Sequence, residues 1–121
     1  MTYVDGFVFV ISKKNREAYK KMAQKAGKIW KKHGALHYFE CEGDDMHPKM
    51  IKLTFPKLTK LKPGERVWFS FIMYKSKAHR DSVNAKVMKD PAMNDPHWKD
   101  KPMPFDMNRM SYGGFRAVVD L

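Results

Sequence analysis

The chain has almost no cysteine, since Cys41 is the single thiol among 121 residues. An intramolecular disulfide is therefore impossible, and such sparing use of cysteine is typical of a reducing compartment. No run approaches the roughly 18 apolar residues that a membrane-spanning helix requires. The N-terminal apolar stretch also lacks the basic segment and the cleavage site of a signal peptide. We therefore expect a cytoplasmic protein without a membrane partner.

Several motifs of familiar chemistry are also missing. The sequence has no glycine-rich phosphate loop, no CxxC pair and no nucleophile elbow around a serine. Residues 79–81 read His-Arg-Asp, as in a kinase catalytic loop, but the other kinase motifs do not accompany them. His37, Asp44, Asp45 and His47 match no known metal-ligand spacing, and adjacent aspartates more often form turns. We expect neither a metal nor a cofactor.

Positive charge is abundant, with 24 Lys and Arg residues against 13 Asp and Glu residues and a net charge of +11. Such an excess is compatible with an anionic partner. Arginine, the residue preferred for bidentate contacts with phosphates and bases, is however scarce. It occurs only at Arg16, Arg66, Arg80, Arg109 and Arg116. The charge therefore indicates mainly a solvated lysine surface, and the sequence leaves open whether it has a function.

Hydrophobic patterning predicts one domain over residues 1–121 with the order strand, helix, strand, strand, helix, strand. The predicted elements are strands at 3–12, 35–42, 66–74 and 112–119, helices at 15–33 and 77–89, and a short extended piece at 51–55. In the first helix an apolar arc of about 140° opposes a lysine face. The arc contains Ala18, Tyr19, Met22, Ala23, Ala26, Ile29 and Trp30.

This order predicts an α+β fold, the ferredoxin-like plait, in which two helices cover one face of an antiparallel sheet. The strand at 66–74 is largely apolar on both faces, with one face formed by Val67, Phe69, Phe71 and Met73 and the other by Trp68, Ser70, Ile72 and Tyr74. Two helices leave one of these faces uncovered, so we expect a homodimer that packs sheet against sheet.

Four strings spread along the chain carry a family resemblance. They are YVDGFV (3–8), GALHYFECEGDD (34–45), VWFSFIMYKSKAHRDSVNAKVMKDP (67–91) and MPFDMNRMSYGGF (103–115). They resemble the YbaA-like family, domain of unknown function 1428, although Met107 stands where we expect glycine and Phe71 where we expect tryptophan.

Members of that family are similar to the dimeric α+β barrel superfamily, so the resemblance implies two plaits whose sheets enclose a barrel. The family is uncharacterised. The wider superfamily includes small monooxygenases, dismutase-like enzymes and simple ligand binders, so the fold by itself implies no activity.

Two carboxylates interrupt otherwise apolar strands and are the first candidates for chemistry. Asp5 or Glu40, if it faces the barrel interior, would have a raised pKa and could act as a general base. Tyr38 is the candidate hydrogen-bond donor beside them. The alternative is that both acids are satisfied by an arginine or by a strand-edge amide.

The candidate ligand-binding residues are Arg80, Arg109, Asn84 and Ser70. Arg80 and Asn84 share the apolar side of the second helix with Val83, Val87 and Met88. A buried arginine is costly unless it is paired, so we expect Asp5, Glu40 or Asp106 to meet Arg80. A structural ion pair and an anion-binding site are both open at this point.

The favoured hypothesis is a dimeric domain that binds a small ligand inside the barrel, between aromatic and methionine side chains. The arginines favour an anionic ligand, and an enzyme of the monooxygenase-like barrel type is one version of this hypothesis. The alternative is a nucleic-acid-binding module that uses strand aromatics and the lysine face, although the full RNP motif is missing. A purely structural or regulatory dimer is a third interpretation.

Overall fold

The architecture is a four-stranded antiparallel sheet with two long helices on one face, seen in a computed structural model that describes residues 1–94 and 103–121. The elements are β1 (Tyr3–Ser12), α1 (Arg16–Lys32), β2 (His37–Glu42), the one-turn α2 (Phe55–Leu58), β3 (Glu65–Tyr74), α3 (Lys77–Lys89) and β4 (Ser111–Arg116). The strands lie in the order β2-β3-β1-β4. This is the predicted ferredoxin-like plait.

The predicted helices agree with the structure to within a residue at each end. Ser76 caps α3, because its Oγ accepts a hydrogen bond from the backbone N–H of His79 at 3.1 Å. The extended piece predicted at 51–55 is wrong, since the regular structure there is α2, capped by Thr54. β4 ends at Arg116, three residues before the predicted end. A 3₁₀ turn at Pro91–Asn94 follows α3.

Two clusters of buried side chains fill the space between the helices and the sheet. The first joins Ile29 of α1 to Ile72 and Tyr74 of β3 and to Val83 and Val87 of α3. The second joins Tyr19 and Ala23 of α1 to Phe9 and Ile11 of β1 and to Trp68 of β3. Because both clusters use residues of the same strand face, both helices cover that one face.

The helix arcs predicted from periodicity are mostly correct, with three differences. Ala18 is exposed, and Met88 of α3 is 58% exposed instead of facing the sheet. Gly27, outside the predicted arc, is buried against the ring of Tyr38. A Cβ at Gly27 would lie only 2.7 Å from Tyr38 Cδ1, so the absence of a side chain lets this ring approach the helix.

The opposite face of the sheet carries a patch of phenylalanines, which we call the open face: Phe39, Phe69, Phe71 and Phe115. Phe39 stacks on Phe71 with ring centroids 4.8 Å apart. Phe115 is 62% exposed, the highest value of the four. The expectation of an uncovered apolar face is therefore correct for the phenylalanine patch, whereas Val10 and Val67 on the same face are buried by the chain itself. None of the helices within residues 1–94 and 103–121 is both long and apolar enough to cross a membrane.

Candidate functional site

A cavity of about 650 Å³ lies between α1 and the helix-covered face of the sheet. Its walls are aromatic and sulfur-containing side chains, including Phe7, Tyr19, Met22, Trp30, Tyr38, Met93 and Met110. On the sheet side its polar groups are Glu40 and Ser70, and on the helix side Lys21 and Lys25 also line it. We call it the Glu40 cavity. It lies on the helix side of the sheet, and not on the open face where the barrel interior was expected.

The pairing of two strands brings the polar residues of the cavity together. β2 and β3 are antiparallel with Glu40 directly opposite Ser70 and Tyr38 opposite Ile72. Because strand side chains alternate between faces, residues 38 and 40 both point toward α1. Tyr19, one turn into α1, reaches the same place from the helix. Three elements therefore converge on one carboxyl group.

The Glu40 carboxylate is surrounded by hydroxyl donors. Tyr19 donates to Oε1 at 2.7 Å and to Oε2 at 3.1 Å, and Tyr38 donates to Oε2 at 3.1 Å. Burial raises the pKa of Glu40, while the hydroxyls of Tyr19, Tyr38 and Ser70 act in the opposite direction. Among the ion pairs within residues 1–94 and 103–121, none involves Glu40. The Glu40 carboxylate thus accepts hydrogen bonds, but no positively charged side chain of the described residues forms an ion pair with it.

The two tyrosines are held in the protonated form. Burial is the main cause that raises the pKa of Tyr19 and of Tyr38 far above the usual value, and the nearby Glu40 charge adds to it. Both phenols are therefore hydrogen-bond donors throughout the neutral pH range.

Asp5 and Arg80 form a separate polar cluster outside the Glu40 cavity. Arg80 Nη1 donates to Asp5 Oδ1 at 2.8 Å and to the Tyr112 hydroxyl at 2.9 Å, and that hydroxyl donates to the same Asp5 oxygen at 3.1 Å. The guanidinium also lies 4.9 Å from the centre of the Tyr3 ring. Of the three expected partners of Arg80, the structure selects Asp5, and this geometry favours the structural ion pair over an anion site.

Arg109 and Asn84 are also occupied by contacts within the protein. Arg109 binds both carboxylate oxygens of Glu65, at 2.6 and 2.9 Å, and donates to the carbonyl oxygens of Thr59 and Lys60. Asn84 Oδ1 accepts hydrogen bonds from the indole N–H of Trp30 at 3.0 Å and from the hydroxyl of Tyr74 at 3.3 Å. The Arg109 contacts fasten the segment before β3, and the Asn84 contacts join α1 to α3.

The structure therefore divides the predicted site residues into two groups. Glu40, Tyr38 and Ser70 meet at the cavity, whereas Asp5, Arg80, Arg109 and Asn84 do not line it. Sequence reasoning missed the role of Tyr19, which it assigned to the apolar arc of α1. The available signal was that tyrosine carries a hydroxyl that needs a polar partner when it is buried.

The surfaces needed for nucleic-acid binding lie on opposite sides of the protein. Lysines such as Lys20, Lys21 and Lys28 are exposed on α1, which covers one side of the sheet. The exposed phenylalanines belong to the open face on the other side. The structure therefore gives this alternative no support. The described residues also bring no three His, Cys, Asp or Glu side chains together as metal ligands.

The chain is similar in sequence to a family of proteins of unknown function. Residues 2–107 match the family model described as "Protein of unknown function (DUF1428)". The chain is 42% identical over 120 residues to "Uncharacterized protein YbaA" of Escherichia coli strain K12, and the match covers 99% of both proteins. The corresponding protein of Shigella flexneri matches to the same extent.

Three solved structures share the fold at low sequence identity. Rv0793 from Mycobacterium tuberculosis has a TM-score of 0.58 at 12% identity, covering 99% of this chain and 98% of that one. A variant of SnoaB, a cofactor-independent oxygenase from Streptomyces nogalater, has a TM-score of 0.59 at 11% identity, covering 99% and 96%. A dimeric ferredoxin-like protein from an uncultured marine organism has a TM-score of 0.57 at 12% identity and is covered completely, as is this chain.

Proposed function

The chain belongs to the DUF1428 family of proteins of unknown function, and from this premise we propose that it binds a small molecule in the Glu40 cavity. The molecule has a flat apolar body and one hydrogen-bond donor that contacts the Glu40 carboxylate. The cavity volume of about 650 Å³ lies within the range of small-molecule sites. Its mostly apolar lining with a few convergent polar groups is also typical of such sites.

The observation that carries this proposal is that the partly buried Glu40 carboxylate has no cation among the described residues. Asp5 is paired with Arg80, and Glu65 with Arg109. Glu40 instead meets only hydroxyl groups among the described residues, in a cavity large enough for another molecule. Because a partly buried carboxylate loses hydration, a ligand that donates to Glu40 gains a charge-assisted hydrogen bond.

The same observation changes the expected ligand. An anionic ligand was expected from the arginines, but Arg80 and Arg109 do not line the cavity. The Glu40 carboxylate would repel an anion at the sheet side. The sheet side of the cavity therefore favours a hydrogen-bond donor such as a hydroxyl group.

A matched pair of ligands tests this proposal. We expect 2-naphthol to bind more tightly than 2-methylnaphthalene, which has nearly the same shape and no donor, by roughly 10-fold or more, as expected for a hydrogen bond to a charged group. Fluorescence titration or calorimetry at neutral pH measures both affinities. In Glu40→Gln the preference for the hydroxyl should shrink, and in Glu17→Gln, the same change at an exposed site on α1, it should persist. Equal affinities for the two ligands, or no binding of either, would overturn the proposal.

We further propose that two copies of the chain associate through the open face. Phe39, Phe69 and Phe115 are each more than 40% exposed there, and Phe39 and Phe69 both pack against Phe71. A monomeric soluble protein rarely exposes such a patch, and a two-fold pairing of sheets would cover it. One fold neighbour is described as a dimeric ferredoxin-like protein, which is consistent with this arrangement.

Sedimentation at micromolar concentration tests the dimer. The native protein should sediment as a particle with twice the mass of one chain. Phe69→Glu should sediment as a folded monomer, because it places a charge in the apolar interface. The control is Met88→Glu, which puts the same charge on an exposed apolar residue of α3 and should remain dimeric. A monomeric native protein, or a dimeric Phe69→Glu variant, would contradict the proposed interface.

A further inference from the structure

We propose that Glu40 is a proton acceptor and that the protein converts a neutral carbon acid bound in the Glu40 cavity into its enolate or enol, with Tyr38 as the donor to the developing oxygen anion. The substrate class is an apolar carbonyl compound with an acidic C–H bond next to the carbonyl group. This inference rests on the proposed binding function and adds a reaction to it.

The hydrogen-bond partners of Glu40 are consistent with a proton acceptor. Its contacts are with the hydroxyls of Tyr19 and Tyr38, groups that donate to the carboxylate and stay protonated. Neither tyrosine can therefore supply the proton that would neutralise the acid at neutral pH. A proton that reaches Glu40 in the cavity must come from solvent or from the bound molecule, which is the situation of a general base.

Glu40 is accessible from two sides of the protein. Glu40 and Tyr38 line the apolar cavity, and they also line a groove of about 710 Å³ between α1 and the edge strand β2. Lys20, Gln24 and Lys28 are exposed along that groove, so it opens to water. Glu40 thus lies between a mostly apolar cavity, where a substrate binds, and a groove open to water, through which an abstracted proton leaves.

The hydrogen bonds around Glu40 change when it accepts the proton. When the C–H bond breaks, the proton bonds to a Glu40 oxygen and the electron pair stays on the substrate as an enolate. Glu40 becomes neutral and accepts hydrogen bonds more weakly, so the hydroxyls of Tyr38 and Ser70, which also line the cavity, become available to the enolate oxygen. Protonation at oxygen or carbon completes the tautomerisation, and no oxidant, reductant or cofactor is consumed.

The environment also suits the acid to this role. Burial raises the pKa of Glu40, which makes the carboxylate a stronger base than an exposed one. Asp5, the other candidate base, is not suited, because it forms an ion pair with Arg80 and does not line the cavity.

Hydrogen–deuterium exchange of 2-tetralone in D₂O tests the proposal directly. This neutral bicyclic ketone has acidic C–H bonds next to its carbonyl, and proton NMR follows their loss. The native protein should accelerate the exchange above the buffer rate, and Glu40→Gln should lose about 100-fold or more of that acceleration, the usual contribution of a general base. Glu17→Gln, the matched exposed change, should exchange at the native rate.

Two further readouts separate the reaction from simple binding. Saturation-transfer NMR reports whether 2-tetralone binds, and circular dichroism reports whether each variant folds. The exchange rate should rise with pH as Glu40 loses its proton, and Tyr38→Phe should slow the exchange while binding persists. Binding without accelerated exchange by the native protein would overturn the proton-transfer proposal and leave the binding proposal standing. Absence of 2-tetralone binding would overturn the proton-transfer proposal, whereas the binding proposal depends on the 2-naphthol titration.

Discussion

The carboxylate of Asp5 on β1 and the guanidinium of Arg80 on α3 form a buried ion pair, with Nη1 and Oδ1 2.8 Å apart and side chains only 3% and 14% exposed. Burial raises the pKa of Asp5 and the guanidinium opposes this effect, so the acid depends on its partner to remain charged. The pair connects the second helix to a central strand of the sheet.

Removing one partner of this pair should destabilise the fold strongly. We expect Arg80→Met to lower the free energy of unfolding by about 3 kcal/mol, because it leaves the Asp5 charge buried without a cation. Urea unfolding followed by circular dichroism measures the loss. Lys86→Met, on the exposed side of the same helix, should change stability by less than about 0.5 kcal/mol. A similar small effect for both variants would show that the ion pair contributes little.

Gly27 in α1 should not tolerate a methyl group. Replacing glycine by alanine in a helix ordinarily stabilises by about 0.5 to 1 kcal/mol. Here the new Cβ would lie 2.7 Å from the ring of Tyr38, so Gly27→Ala should instead cost about 1 to 3 kcal/mol through overpacking. Thermal unfolding decides between the two signs, with Gln24→Ala at an exposed position of the same helix as the control. A more stable Gly27→Ala variant would contradict the packing described for Tyr38.

Asp90 should make the fold sensitive to acid. Hydrogen bonds from the backbone N–H of Ala92 and from the side chains of His33 and Lys32 lower the pKa of Asp90 from 3.8 to about 2. A lowered carboxyl pKa means that this stabilisation is complete above the unfolded value and is lost as the pH falls toward the folded value. We expect Asp90→Asn to be less stable than the native protein at pH 6, and the difference to close between about pH 4 and pH 2. A gap in unfolding free energy that does not change with pH would contradict this role.

Glu40 should have the opposite dependence on pH. Because burial raises its pKa, the folded state holds the proton to higher pH than the unfolded state, and stability falls as the pH rises through that interval. Gln keeps the shape and can accept from Tyr19, but it carries no charge. Glu40→Gln should therefore unfold at a higher temperature than the native protein at pH 8 and at nearly the same temperature near pH 4. Calorimetry at the two pH values measures this difference. A variant less stable than the native protein at pH 8 would show that the hydroxyl contacts outweigh the burial of the charge.

Much of the fold was predictable because it follows local patterns. The apolar arc of α1 and the alternation in the strand at 66–74 report burial directly, and Ser76 marks the start of α3 by a capping contact that needs only neighbouring residues. The prediction failed where a long-range contact decides the structure. The segment at 51–55 is apolar enough to suggest a strand, but it lacks a partner in the sheet, and strand pairing is a long-range property.

The candidate site was only partly predictable. Glu40 and Tyr38 stand out because a carboxylate and a phenol share one face of an apolar strand. Tyr19 does not, because its helical position is equally consistent with an ordinary core residue. Arg80 and Arg109 looked alike as anion binders, yet each is bound to a carboxylate far away in sequence, Asp5 for one and Glu65 for the other.

The sequence by itself determined the element order, the plait and the apolar character of both sheet faces, because periodicity and end-capping depend on residues within one or two turns. Only the tertiary structure decided which arginines are neutralised, which carboxylate lacks a cation among the described residues, and that the cavity lies under α1. Those outcomes depend on strand register and on how closely a helix approaches the sheet, as Gly27 allows for Tyr38. Burial and pairing of charge are properties of that packing, and no short stretch of sequence contains them.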